Sequence, residues 1–172
     1  MRTRRSFDCA QDDITALRMI SHSPSETIRD GFVISTDRAR LDLDAIERLL
    51  RSSYWASKRS RASIELSIHN ALCFGLYEVR SGRQIGLTRI VSDYATFAWL
   101  CDVIIEKEYR GRGLGTWMMG VVLGDPNVCQ VSRWILATAD AHKLYDRYGF
   151  TPLAHADRWM ERIRSKTDCT QS

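Results

Sequence analysis

The chain has no long hydrophobic run. None of its uncharged stretches exceeds 12 of the 172 residues, and one that reaches this length, residues 113–124, holds four glycines. A membrane-spanning helix needs roughly 18 to 20 consecutive apolar residues, so none is expected and no membrane partner with it. Paired cysteines are missing as well. The five cysteines, at 9, 73, 101, 129 and 169, form an odd set without C-x-x-C spacing, and several sit inside apolar runs. That predicts buried free thiols in a reducing compartment. The four histidines, at 22, 69, 142 and 155, have no ligand spacing to one another or to a cysteine, so no metal site is expected. Nor does one sign of charge dominate. The 25 Lys and Arg against 21 Asp and Glu leave +4, which permits a polyanionic partner without requiring one. Arg2, Arg4 and Arg5 are followed by the polar, acidic Cys9-Ala10-Gln11-Asp12-Asp13 and not by a secretory apolar core. The expectation is a soluble, cytoplasmic protein.

What is present is ordinary globular composition. Hydrophobic residues at 44% and charged residues at 27% exclude a collagen or a wholly disordered acidic chain, and the length fits one domain. Residues 1–28 show no sustained period and are expected to be a disordered lead, with Met19 a second candidate start. A domain over 29–164 and a flexible tail over 165–172 complete the predicted organisation. Residues 31–35 read as a strand, and Asp42 or Asp44 can cap a helix whose Leu43, Ile46, Leu49 and Leu50 recur at three and four. A helix over 63–69 follows. Strands over 71–79, 84–91 and 96–106 then form an antiparallel meander, its first turn holding Gly82.

The segment Tyr109-Arg110-Gly111-Arg112-Gly113-Leu114-Gly115 runs directly into Leu114, Trp117, Met118, Val121 and Val122, an apolar helical stripe ending at Gly124-Asp125-Pro126. A strand over 134–138 makes the unit strand, glycine turn, helix, strand, which within one sheet is a right-handed parallel crossover. A last helix is predicted from Asp140, as N-cap, to Tyr148 and Gly149, with residues 150–153 and 159–163 as closing strands. The fold class is α/β, with a mixed and mostly antiparallel central sheet flanked by helices.

A glycine turn opening a helix offers free N–H groups and the positive end of a helix dipole, a ready site for phosphate oxygens. Arg110 and Arg112 add positive charge. A Walker A loop needs a lysine before Thr116, and a G-x-G-x-x-G fingerprint counted from Gly111 or Gly113 ends on Thr116 or Met118. Neither nucleotide motif fits. The acetyl-CoA loop [Q/R]-x-x-G-x-[G/A] of the GCN5-related N-acetyltransferases (GNAT) does fit, on Arg110, Gly113 and Gly115. The segment from Asp102 to Tyr109 resembles the strand preceding this loop in that family, and Leu144-Tyr145-Asp146-Arg147-Tyr148-Gly149-Phe150 resembles its late L-Y-x-x-x-G-F segment. Order and separation agree over about residues 30–164.

The resemblance implies acetyl-CoA as cosubstrate, with the backbone of Val103, Ile104 and Ile105 pairing with the pantetheine arm. The N–H groups of Gly111, Arg112, Gly113, Leu114, Gly115 and Thr116 would hold the pyrophosphate, and splayed strands would admit it. The family transfers acetyl directly to an amine, so the cysteines need no catalytic role. Tyr145 stands at the family's tyrosine and is the expected acid for the departing thiolate, with Tyr148 as fallback. Asp102 matches the aspartate of a Glu-Asp pair in polyamine- and aminoglycoside-acetylating relatives, while Cys101 replaces the glutamate. Asp102 is therefore expected to attract the cationic amine or relay its proton, and Asp93 and Glu106 are further carboxylates that could face it. Tyr54 and Trp55 are candidates for lining an acceptor pocket. Lys58-Arg59-Ser60-Arg61 is one short basic run without an aromatic array, which argues against nucleic acid. The expected acceptor is a small-molecule amine (polyamine, amino-sugar or amino-acid-like). Alternatives are a protein lysine or N-terminal acetyltransferase, or a non-catalytic CoA-binding regulator, and a homodimer is left open.

Overall fold

The computed structural model describes residues 24–163. They fall into two compact units, divided between Leu136 and Ala137. Most of the expected lead, residues 1–23, lies outside the described part, as does the expected tail. The end of that lead belongs to the sheet. Strand β1 (Glu26–Arg29) pairs antiparallel with β2 (Phe32–Ser35). Asp30 and Gly31 link them with φ of 50° and 80°. Positive φ at both positions is what a two-residue hairpin turn with the sheet's own twist requires, and Asp-Gly adopts it at little cost.

Helix α1 (Leu43–Arg51) starts where the sequence places it. The Asp42 carboxylate accepts from the Asp44 and Ala45 N–H groups at 2.9 and 3.0 Å, and Ala45, Ile46, Leu49 and Leu50 form its buried face. Helix α2 (Arg61–His69) is capped by Ser60, whose hydroxyl accepts from the Ser63 N–H. The meander is β3 (Leu72–Glu78), β4 (Gln84–Ser92) and β5 (Ala98–Ile105), followed by α3 (Leu114–Leu123) and a two-residue β6 (Trp134–Ile135). The six strands lie in sequence order, and only β5 and β6 run parallel. This is the mixed, mostly antiparallel sheet expected, with β6 shorter than the predicted 134–138.

One sheet face carries Cys73, Leu87 and Ile104 against Ile46, Leu49 and Leu50 of α1 and Ile64 of α2. Each large aliphatic so enclosed contributes roughly 1.5 to 3 kcal/mol. Thr88, next to Leu87 and so on the opposite face, places its hydroxyl 2.7 Å from Met118 Sδ of α3. Helix α3 buries Leu114, Met118, Met119 and Val122. Trp117 and Val121 of the predicted stripe are only half-buried, so its inward face is turned toward Met119.

The second unit, residues 137–163, departs further from expectation. Helix α4 spans only His142–Asp146, and Ala141 occupies its N-cap position without a side-chain cap. Asp140 is therefore not the cap; the Thr138 hydroxyl accepts from the Ala141 N–H at 3.1 Å. The chain leaves α4 through Gly149 at φ 79°, with the Phe150 N–H donating to the Tyr145 carbonyl. The two predicted closing strands are absent: residues 150–153 and 159–163 flank a 3-10 turn (Ala156–Arg158), and Met160 and Ile163 are exposed. An apolar run becomes a strand only beside an edge that takes its backbone bonds. Pro152 lacks an N–H, and neither run has a ladder partner among the described residues.

Gly86 of β4 has no room for a side chain. A Cβ there would stand 2.9 Å from the Ile104 carbonyl oxygen, which belongs to backbone and cannot swing away. Gly86→Ala is expected to destabilise the protein by about 1 to 3 kcal/mol. Urea unfolding should show a lower midpoint at unchanged slope, and an unchanged midpoint would contradict the close approach.

Candidate active site

Strand β5 carries one residue more than its partner. Leu87 pairs with Ile104 and Arg89 with Cys101, so Asp102 and Val103 stand opposite Thr88 alone, a β-bulge. Asp102 sits at φ 52°, a left-handed conformation that costs on the order of 1 to 3 kcal/mol in a non-glycine residue. The extra residue also shifts the alternation of β5, bringing the Asp102 carboxylate to the face covered by α1 and α2. There Oδ1 accepts from Trp55 Nε1 at 3.2 Å, and Oδ2 accepts from both Arg59 Nη1 at 2.9 Å and Arg89 Nε at 2.8 Å. The Asp102 side chain is 3% exposed, Arg89 11% and Arg59 26%. Burial pushes the carboxyl pKa up, but the hydrogen bonds and charges of Arg59 and Arg89 outweigh it and hold the group below its usual range.

Asp102 is thus ion-paired. Its negative charge is already matched by two guanidiniums, and the cluster as a whole is cationic. The other carboxylates singled out in the sequence are committed too. Asp93 accepts from the N–H groups of Ala95, Thr96 and Phe97 and from the Thr96 hydroxyl, closing the turn between β4 and β5. Both oxygens of Glu106 bind Arg83 at 3.0 Å. Burial pushes the Cys73 and Cys101 thiols up to about 11, against the opposing charge of Arg89. They stay protonated near neutrality, which makes them poor nucleophiles. Tyr54 and Trp55 meet edge to face at 4.9 Å and are exposed.

Beyond the bulge, β5 leads through a 3-10 turn (Lys107–Tyr109) into the glycine turn. Gly111 and Gly113 have φ of 78° and 73°, and a Cβ at either would meet nothing within 4 Å. Glycine is therefore required there by backbone conformation, and the space beside it is open. Gly113 is the N-cap of α3, with no side-chain cap. Arg110 Nε donates to the Ile105 carbonyl at 2.8 Å, tying the turn to the strand end, and the Arg112 guanidinium lies 5.1 Å over the Tyr109 ring. Arg29 of β1 escaped sequence reasoning. Its guanidinium lies 4.6 Å over the Trp117 ring, Nη2 reaches the Gly113 carbonyl at 3.5 Å, and Nε pairs with the Asp30 carboxylate at 3.6 Å. The signal that could have found it is Asp30-Gly31, which marks the hairpin that brings residue 29 into the sheet.

Pairing of β5 with β6 stops after Trp99 with Ile135, whereas pairing with β4 continues to Ile105. Residues 103–105 thus have a strand on one side only among the described residues. The first unit therefore brings together 102–105 and the turn 110–116. Tyr145 belongs to the second unit, in α4, where it is buried and packs edge-on against Phe150 at 5.9 Å. Among the described residues no group of three or more His, Cys, Asp or Glu could hold a metal ion, and no helix is long and apolar enough to cross a membrane.

Asp102→Asn keeps the shape and tolerates the left-handed conformation, but leaves two arginines without their counter-charge. It is expected to lower stability at pH 7 by roughly 3 kcal/mol, the scale for breaking a buried pair. Because the folded pKa lies below the unfolded one, the carboxylate's contribution is present above about pH 4 and is lost as pH falls through the folded value. Thermal unfolding between pH 2 and 7 should therefore show a gap between wild type and variant that narrows on acidification. A gap that is absent, or constant with pH, would contradict the ion cluster.

A family model described as an acetyltransferase (GNAT) domain matches residues 69–152. A Gibberella zeae protein assigned as an acetyltransferase is 31% identical, over 72% of this chain and 81% of its own. The crystal structure of a Xanthomonas campestris protein assigned to the GNAT family superposes with a TM-score of 0.74 at 40% identity, covering 80% of this chain and 96% of that one. A GNAT family acetyltransferase from Elizabethkingia anophelis, solved with acetyl-CoA bound, shares the fold at 16% identity and a TM-score of 0.56, covering 80% and 91%. The identities of 31% and 40% across most of both partners agree with the spacing of the glycine turn: this chain belongs to the GNAT acetyltransferases, a family of acyl-transferring enzymes.

Proposed function

We propose that the protein transfers the acetyl group of acetyl-CoA directly to a primary amine of a small molecule. The observation that carries this reading is the open edge of β5, which runs past the end of β6 straight into the glycine turn. A pantetheine arm is an extended chain with amides of its own and would add to such an edge much as a strand does, on the backbone groups of Val103, Ile104 and Ile105. The pyrophosphate would then lie on the turn, residues 111–116, where the dipole of α3 and the open space beside Gly111 and Gly113 favour an anion. Arg110 keeps turn and strand in register, and the Arg29 guanidinium, whose Nη2 reaches the Gly113 carbonyl, adds positive charge beside the turn. These residues fit the cosubstrate. The likeness to an acetyl-CoA-bound relative supports the same assignment.

Bound there, acetyl-CoA supplies an activated thioester, and the residues of this chain orient it and move protons. The departing thiolate needs a proton, which the phenol of Tyr145 supplies in this reading. An amine with a pKa near 10 arrives about a thousandfold more protonated than neutral at pH 7 and must lose a proton. Asp102, held below its usual range by two arginines, is a poor base for this step. Its place in the reaction is that of a positioning residue that fixes Arg59 and Arg89.

Acetyl-CoA should raise the Tm of the wild type, whereas Gly113→Asp, which sets a side chain and a negative charge where the pyrophosphate would lie, should abolish most of that shift. Equal shifts would refute the assignment of the turn. Release of free thiol from acetyl-CoA across an amine panel tests turnover, and binding without release would mark a non-catalytic module. Tyr145→Phe should leave the acetyl-CoA shift near wild type and lower kcat by up to about two to four orders of magnitude. Unchanged turnover with a reduced Tm would make Tyr145 a packing residue.

A further inference from the structure

We propose that Arg59 and Arg89, fixed on Asp102, form a subsite for the carboxylate of the acceptor, so that the acceptor is a small amino acid and not a polyamine. This rests on the proposed reading of residues 103–105 as the edge that holds the acyl donor, because the cluster lies at the residue immediately before that edge. Asp102 Oδ2 takes one N–H from each arginine, Nη1 of Arg59 and Nε of Arg89. No other protein acceptor binds either guanidinium among the described residues. The terminal nitrogens of Arg89 and the Nε and Nη2 of Arg59 therefore keep donors to offer.

Charge decides between acceptor classes. Two guanidiniums against one carboxylate leave one net positive charge, at side chains only 11% and 26% exposed, where solvent screens weakly. A protonated diamine or polyamine approaching this point meets repulsion, whereas a monoanionic carboxylate completes the neutralisation. A phosphate monoester, with nearly two negative charges at neutral pH, would overshoot it. Geometry agrees with charge: guanidinium forks match carboxylate oxygens in pairs, and Asp102 holds both in place before a ligand arrives. Exposed Trp55, whose indole N–H binds the other Asp102 oxygen, is a built-in reporter.

The test separates binding from turnover. N-acetyl-glycine, N-acetyl-alanine and N-acetyl-methionine, each beside its own methyl ester, are titrated into the protein with CoA present, followed by tryptophan fluorescence and calorimetry. The free carboxylates are expected to bind at least tenfold more tightly than their esters. In Arg59→Gln, and in the gentler Arg59→Lys, that ratio should fall toward one, most in Gln, while the acetyl-CoA shift in Tm shows the variant to be folded. Thiol release from acetyl-CoA should likewise favour glycine, alanine or methionine over their methyl esters, over spermidine and over phosphoethanolamine. Esters binding as well as acids, no binding of either, or preferred use of spermidine or phosphoethanolamine would overturn the subsite. Tight binding of the carboxylates with no thiol released from any amine would instead refute the acyl-transfer reading and leave the subsite standing.

Discussion

The chain's site depends on one extra residue in β5. With regular pairing, Asp102 would point to the face that α3 covers; with the bulge it turns toward α1 and α2 and meets Arg59, Arg89 and Trp55. The left-handed backbone at Asp102 is unfavourable in isolation, and the three hydrogen bonds to its carboxylate offset that cost. Backbone irregularity and ion cluster thus hold each other in place. β5 lies between two strands only at Ala98 and Trp99; from Leu100 it continues beside β4 alone, through the bulge and on toward the glycine turn.

Features governed by neighbours in sequence were legible before any coordinates. Asp42 caps α1, the apolar residues of α1 recur at helical spacing, and β3 and β4 are apolar runs around a glycine-containing turn; each is a local preference that packing reinforced. The glycine turn was legible for the same reason, because positive φ at Gly111 and Gly113 is a backbone demand that only glycine meets freely. The Asp30-Gly31 hairpin carried an equally local signal, masked by the aperiodic residues before it.

Features governed by distant partners were not legible. Nothing in Cys101-Asp102-Val103 announces a bulge, because its stabilising partners come from 43 and 13 residues earlier in the chain. Asp102 reads as a lone aspartate next to an expected cofactor edge, and the two arginines that bind it are distant in sequence. Arg59 itself sits in a short basic run that resembles solvated surface, yet its partner is buried. In the second unit the error ran the other way. Residues 150–153 and 159–163 have strand-like composition, but composition does not supply an edge to pair with, and the segment folds as turns.

In the proposed function the backbone of residues 103–105 and 111–116 acts as one binding surface, on the edge of β5 that the two-residue β6 leaves open. Amide hydrogen exchange, followed residue by residue with and without acetyl-CoA, reads those groups directly. The account predicts that the cosubstrate slows exchange at residues 103–105 and in the first turn of α3 together, at the same concentration, while amides in α1 and α2 change little. Binding that protects neither segment, or the turn without the strand edge, would contradict it.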